Sequence, residues 1–114
     1  MEISQIIREY QEGKREFSGI KLQEAEIIKL NLSDANFSYC DFRQARLGKT
    51  NFSESCFEKT DLSEALLWGT DFTNANLTKA ILRESDLSGA ILTKTNLTEA
   101  NLIKAIIGGA NLTN

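Results

Sequence analysis

The 114-residue sequence predicts an all-β solenoid, a four-sided β-helix of about five coils with a short N-terminal α-helix closing one end. Three observations carry this reading. A large apolar residue returns at every fifth position from Phe17 to Leu112, twenty times with no polar exception. A small residue stands two places before almost every one of them. The first sixteen residues depart from this rhythm and follow a helical one instead.

Residues 1–16 come first. Ile3, Ile6, Ile7 and Tyr10 fall at i, i+3, i+4 and i+7, the stripe of an amphipathic helix, and Gly13 sits where a helix closes in a left-handed residue. A solenoid cannot leave its terminal core layer open to water, so this helix is expected to lie as a lid over Phe17, Leu22 and Ile27. Its polar side mixes Glu2, Glu9 and Glu12 with Arg8, which argues against a helix lying on an anionic membrane.

Residues 17–114 carry the five-residue period. With about two residues in five apolar, twenty consecutive matches arise by chance on the order of once in ten million or less. The small column runs through Ala25, Ala35, Cys40, Ala45, Thr50, Ser55 and Thr60 to Ala110. Between small and large residue stands Asn or Asp at Asn31, Asn36, Asp41, Asn51, Asp61, Asp71, Asn76, Asp86, Asn96, Asn101 and Asn111, and Ser or Thr often follows the large one. A helix would rotate these positions by about 140° per repeat, and a strand would change face each time. If each pentapeptide instead forms one side of a square and then turns, every large and every small residue points inward. Four repeats close a coil of twenty residues, and coils stack about 4.8 Å apart. The position two after each large residue then falls third in a turn that wants φ > 0, where Gly19, Gly69, Gly89, Gly109 and Asn74 stand. Asn and Asp in their column can bond neighbouring backbone or one another along the stack. Arg15, Ile20 and Leu30 replace the small residue in the first coil, from which an irregular end is expected.

The A-[N/D]-[L/F]-[S/T]-x consensus resembles the motif A-[D/N]-L-x-x of the pentapeptide-repeat proteins, over residues 17 to 114. The resemblance implies a right-handed quadrilateral β-helix, and short bacterial members carry a helical N-terminal cap with a similar Y-x-x-G-x-x-x-F junction. The first functional reading is a non-catalytic scaffold presenting flat laddered faces to a protein partner, and the resemblance implies two alternatives: a mimic of duplex DNA that binds gyrase, or a regulator of bacterial development or stress.

Composition narrows the chemistry. The chain has no His, hence no imidazole base, metal ligand or nucleophile pair, and its 2 cysteines, Cys40 and Cys56, are too few for a zinc site or a disulfide framework. No catalytic residue, cofactor or metal is expected, and the expected activity is binding, not catalysis. Free thiols, no signal-like segment and no long apolar run suggest the cytoplasm. Net charge is −3, and no side of the square departs from neutrality by more than two, which disfavours both direct nucleic-acid binding and DNA mimicry. Six Asn-x-Ser/Thr sequences arise from the repeat itself and do not indicate glycosylation. Asp41 and Asp61 share a column one coil apart, but Arg43 is placed to neutralise them in place of a cation.

Two features escape the repeat. On one side of the square Ile28, Leu66, Trp68 and Ile106 form a candidate partner patch, with Gly48, Gly69, Gly89 and Gly108 leaving the ground around Trp68 low. At the C-terminal end no helix follows Leu97, Leu102, Ile103, Ile107 and Leu112, so this coil is expected to stack on a second copy or another chain. An unknown protein partner and a homodimer through the C-terminal coil are the partners expected.

Overall fold

The computed structural model describes residues 2–113, so Asn114, where the sequence stops inside a repeat, lies outside the described residues. Residues twenty apart pair in parallel, from Glu16 with Asn36 and Lys21 with Asp41 to Ile91 with Asn111. A coil is therefore twenty residues and a side is five. The four faces, numbered in chain order, carry the inward residues Phe17 to Leu97 on the first, Leu22 to Leu102 on the second, Ile27 to Ile107 on the third and Leu32 to Leu112 on the fourth.

One pentapeptide shows how the backbone is satisfied. The N–H of Asn36 bonds the carbonyl of Arg15 in the coil above (2.7 Å), while those of Phe37 and Tyr39 bond Cys56 and Glu58 in the coil below (2.8 and 3.0 Å). The N–H of Cys40 closes the turn on the Phe37 carbonyl (3.3 Å). That leaves the Ser38 N–H, which the Asn36 side chain accepts at 2.9 Å. Buried amides must find partners, and in this repeat one side-chain acceptor completes the set.

The same Asx turn forms at all eleven Asn and Asp of the column, from Asn31 through Asp61 to Asn111. Of the two roles expected for this column, bonding to the neighbouring backbone is the one the structure uses. In seven of these turns the Ser or Thr that follows the large residue also donates its hydroxyl to the same oxygen, as in Ser63 to Asp61 and Thr73 to Asp71.

The turn position differs from expectation in its occupants. Positive φ recurs there in every repeat from Gly19 to Gly109, yet most residues holding it are Glu or Lys, such as Glu54 (φ 58°) and Lys59 (φ 56°). These long side chains are unbranched at Cβ, so the left-handed conformation costs each about 1–2 kcal/mol and no further clash. A β-branched residue would add that clash, and none stands in the column.

Inside, the large residues of the first four coils are almost wholly buried. Phe17 and Phe37 stack at 5.5 Å and Phe52 and Phe72 at 5.8 Å, with Phe52 set edge-on to Phe57 at 4.9 Å. Hydroxyls in the small column are satisfied by carbonyls about one coil back, as in Thr50 to Ile27 (2.7 Å) and Thr60 to Phe37 (2.8 Å), or by that of their own turn, as in Ser85 to Leu82 (2.7 Å). No buried side-chain nitrogen or oxygen among the described residues lacks a partner.

The lid is helix α1, Ile3–Gln11. It ends in a Schellman turn: Lys14 N–H bonds Glu9 C=O (2.9 Å), Gly13 N–H bonds Tyr10 C=O (3.0 Å), and Gly13 takes φ 105°. Ile6 enters the core beside the first layer, where Phe17, Leu22 and Ile27 are at most 3% exposed. Tyr10 OH donates to Ser33 C=O (2.8 Å) and the Arg15 guanidinium lies 3.7 Å from the Tyr10 ring centre, which pins the lid to the stack. The irregular first coil expected from Arg15, Ile20 and Leu30 is not found: its bridges are in register from Glu16 onward. A helix, not another coil, lies over this layer, so Ile20 and Leu30 have room to pack partly buried against the core.

Candidate protein-binding surface

Three outward columns remain on each face once the fold has used the inward ones. On the third face the column before the large residues reads Glu26, Arg46, Leu66, Asp86, Ile106, and the column after them reads Ile28, Gly48, Trp68, Ser88, Gly108. Leu66 and Trp68 stand where the consensus puts an Asx residue and its Ser or Thr. No side-chain acceptor among the described residues then serves the Trp68 amide, so these residues give the turn nothing.

Gly48 explains the setting of Trp68. A Cβ built on Gly48 would come within 2.3 Å of Trp68 Cε2, so the indole lies flat across the glycine of the preceding coil. Lys49 flanks it, with Nζ 5.9 Å from a Trp68 ring centre and Cγ 3.0 Å from the Cβ position of Gly69. The ring is half-buried and already rests on the backbone of Gly48, which lowers the ordering cost of using it in a contact.

The four patch residues do share this face, but not one continuous surface. Ile28, Trp68 and Leu66 flank Gly48, whereas Asp86 and Ser88 separate Leu66 (38% exposed) from Ile106 (56% exposed). Ile106 belongs instead with the terminal coil, where Leu102, Ile103, Ile107 and Leu112 are all exposed and Leu97 is half-buried. The backbone N–H groups of Leu102 and Ile107 in this coil have no backbone partner among the described residues. Apolar side chains and free donors therefore lie together at this end.

Asp41 is neutralised in place. Arg43 donates to both its oxygens (2.9 and 2.7 Å) and lies 3.9 Å from Asp61, filling the site a cation would need. The Arg43 hydrogen bond holds the Asp41 carboxyl below the usual carboxylate range.

Two further features were not singled out from the sequence. Tyr39 is 59% exposed at φ 61° with Lys59 Nζ 5.6 Å from its ring; an aromatic in a column of Glu, Lys and Gly was the signal. A shallow groove of about 260 Å³ runs between the lid and the fourth face, lined by Ile7, Tyr10, Gln11, Leu30, Asn31 and Leu32. It exists because the lid is narrower than the coil, which no local pattern announces.

A four-sided stack of pentapeptides laddered coil on coil is the architecture of a β-solenoid repeat protein. The family described as pentapeptide repeats (8 copies) matches residues 16–54, 55–93 and 80–114, and the chain belongs to it. HetL of the cyanobacterium Nostoc sp. strain PCC 7120, a pentapeptide repeat protein involved in heterocyst differentiation regulation, is 56% identical with a TM-score of 0.98. The match covers 99% of this chain and 48% of HetL, so the chain spans about half the length of that relative. Rfr23 of the cyanobacterium Cyanothece 51142 follows at 26% identity and a TM-score of 0.59, with 95% and 97% of the two chains covered. A pentapeptide repeat protein of the Arabidopsis thaliana thylakoid lumen, at 19% identity and a TM-score of 0.54 over 90% and 65%, shares the fold. No curated protein sequence matches. The fold is the right-handed quadrilateral β-helix of the family.

Proposed function

We propose that this chain is a protein-binding scaffold with no catalytic chemistry of its own, which engages its partner through Leu66 and Trp68 on the third face. The observation that carries this is the identity of those two residues. The fold accounts for the eleven Asx residues, the buried hydroxyls and the turn column, but it has no use for a leucine and a tryptophan on an outward ladder. Aromatic anchors on rigid, flat ground are the usual centres of protein contacts. Regulation by contact is the kind of role that the likeness to HetL supports.

The terminal coil is a second surface in the same proposal. Leu97, Leu102, Ile103, Ile107 and Leu112, beside free N–H groups, suit a partner that continues the stack, and a second copy of the chain meets that description. Unpaired, reduced Cys40 and Cys56 suit a cytoplasmic setting, and no helix among the described residues is long and apolar enough to cross a membrane. A duplex mimic would need a continuous acidic face, whereas Arg43 and Arg83 interrupt the second face at Asp41 and Glu84.

Affinity capture from the source cell with the wild-type chain and with Trp68→Ala tests the reading. Partners retained by the wild type and lost by the variant support it. Identical partner sets would move the site elsewhere, and inhibition of gyrase supercoiling would restore the mimic.

A further inference from the structure

We infer that the third face is a self-complementary interface on which two copies of this chain pack antiparallel, face to face. The inference rests on reading Leu66 and Trp68 as a binding surface and names the occupant. The starting point is symmetry. A two-fold axis lying in the contact plane along the strand direction, through the third coil, sets each outward column against itself with the coil order reversed. The first coil then meets the fifth, the second meets the fourth, and the third meets the third.

Applied to the ladder pairings of this face, that operation joins complementary groups. In the column before the large residues, Arg46 faces Asp86 of the other copy and Leu66 faces Leu66. In the column after them, the two Trp68 residues meet at the axis with each indole, lying over Gly48, against Ser88 of the other copy, and the projecting Ile28 faces the bare Gly108. In the turn column Lys29 and Lys49 face Gly109 and Gly89, so long side chains meet positions that have none. Glu26, already held by Arg46 of its own chain at 3.5 Å, lies opposite Ile106 at the rim. Charge meets opposite charge, bulk meets hollow, and apolar residues meet on the axis.

The alternative axis, parallel to the stack, sets each coil against its own counterpart. Arg46 would then face Gly48 and Asp86 would face Ser88, and the charge pairing is lost. The second face is poorer ground. On the second face, the third to fifth coils alone expose Asp61, Glu64, Arg83, Glu84 and Lys104, whereas the matching stretch of the third face carries the single charge Asp86.

Area sets the strength. The molecule measures 34 × 24 × 23 Å, and five coils at about 4.8 Å span about 24 Å. A face therefore offers roughly 500 Å² per copy and a pair roughly 1,000 Å², the lower end of specific interfaces and the size of a weak, reversible one. The dimer forms at high local concentration and yields the face to another partner.

Sedimentation equilibrium from about 10 μM to 1 mM, followed in parallel by the fluorescence of the single tryptophan, tests this. Arg46→Asp and Asp86→Arg should each weaken dimerisation about tenfold or more by setting like charges together, and the double exchange should return it to within about threefold. Arg46 itself shows that this column accepts arginine, so the exchanged chains fold. Leu112→Glu, in the terminal coil but on the fourth face, should leave the dissociation constant unchanged. A wild-type chain that stays monomeric at 1 mM, or a dimer lost with Leu112→Glu and indifferent to the charge exchange, overturns the inference. The capture experiment with Trp68→Ala stands apart: partners lost there with no dimer in solution would keep the binding-surface reading and remove only this occupant.

Discussion

Gly48 and Trp68 show how much one missing methyl group sets at the scale of a residue. Gly48→Ala would place a Cβ 2.3 Å from the indole, and because Trp68 lies at the surface the ring can swing away. The expected cost is therefore about 1 kcal/mol or less in thermal melting, with a red-shifted tryptophan emission as the ring enters water. An unshifted spectrum would mean the ring is not bedded on Gly48. The cysteines give a second residue-scale result. Burial pushes the Cys40 thiol from 9.0 to about 11, and it donates to the Phe17 carbonyl at 3.0 Å, while Cys56 stands half-buried on an outward column. Iodoacetamide at pH 8 should add one label to the folded chain, at Cys56, and two to the unfolded chain, read by mass spectrometry. Because the folded Cys40 pKa is raised, its protonated thiol favours the fold fully below pH 9 and loses that contribution as pH rises towards 11. The sequence placed Cys40 inward from its column alone, but the indole over Gly48 could only be guessed from a glycine one coil earlier.

At the scale of the pentapeptide, the inward large residue and the turn residue make opposite demands. Phe57, packed among Phe37, Phe42, Phe52 and Phe72, should lose about 3–5 kcal/mol on change to Ala, and Leu62→Glu should prevent folding. Lys79→Ala should be silent within about 0.5 kcal/mol, whereas Lys79→Ile, at φ 59°, should cost about 1–2 kcal/mol by forcing a branched Cβ into a left-handed residue. Chemical denaturation of the four variants gives the order, and equal effects of Lys79→Ala and Lys79→Ile would refute the turn assignment. The inward columns were legible because burial selects chemistry directly. The turn column was only half legible, since Gly and Asn reveal a left-handed residue while Glu and Lys reveal it solely through the branched residues they exclude. The lid was readable to its closing glycine, because Ile3 to Tyr10 and Gly13 carry both periodicity and stop signal.

For the whole molecule, the stack is one-dimensional, and its stability should be greatest in the middle coils and least in the terminal one. Hydrogen exchange should protect the amides of Phe57, Leu62 and Leu67 most, for they lie in a coil paired on both sides. Those of Leu102 and Ile107 in the terminal coil should exchange fastest. Uniform protection through all five coils would show that something else covers that end. Which faces bind was legible only as exceptions to the repeat, and the division between the Leu66–Trp68 surface and Ile106 came from the register that sets Asp86 between them.

The account holds that the repeat explains the fold while Leu66 and Trp68 serve only contact. Returning both to the consensus, as Leu66→Asn with Trp68→Ser, tests this most directly, because the introduced asparagine side chain would regain an Asx turn by accepting the N–H two residues on. The expected result is a melting temperature equal to or above that of the wild type, together with loss of captured partners and of self-association. A double variant that binds as the wild type does, or that melts well below it, would contradict the account.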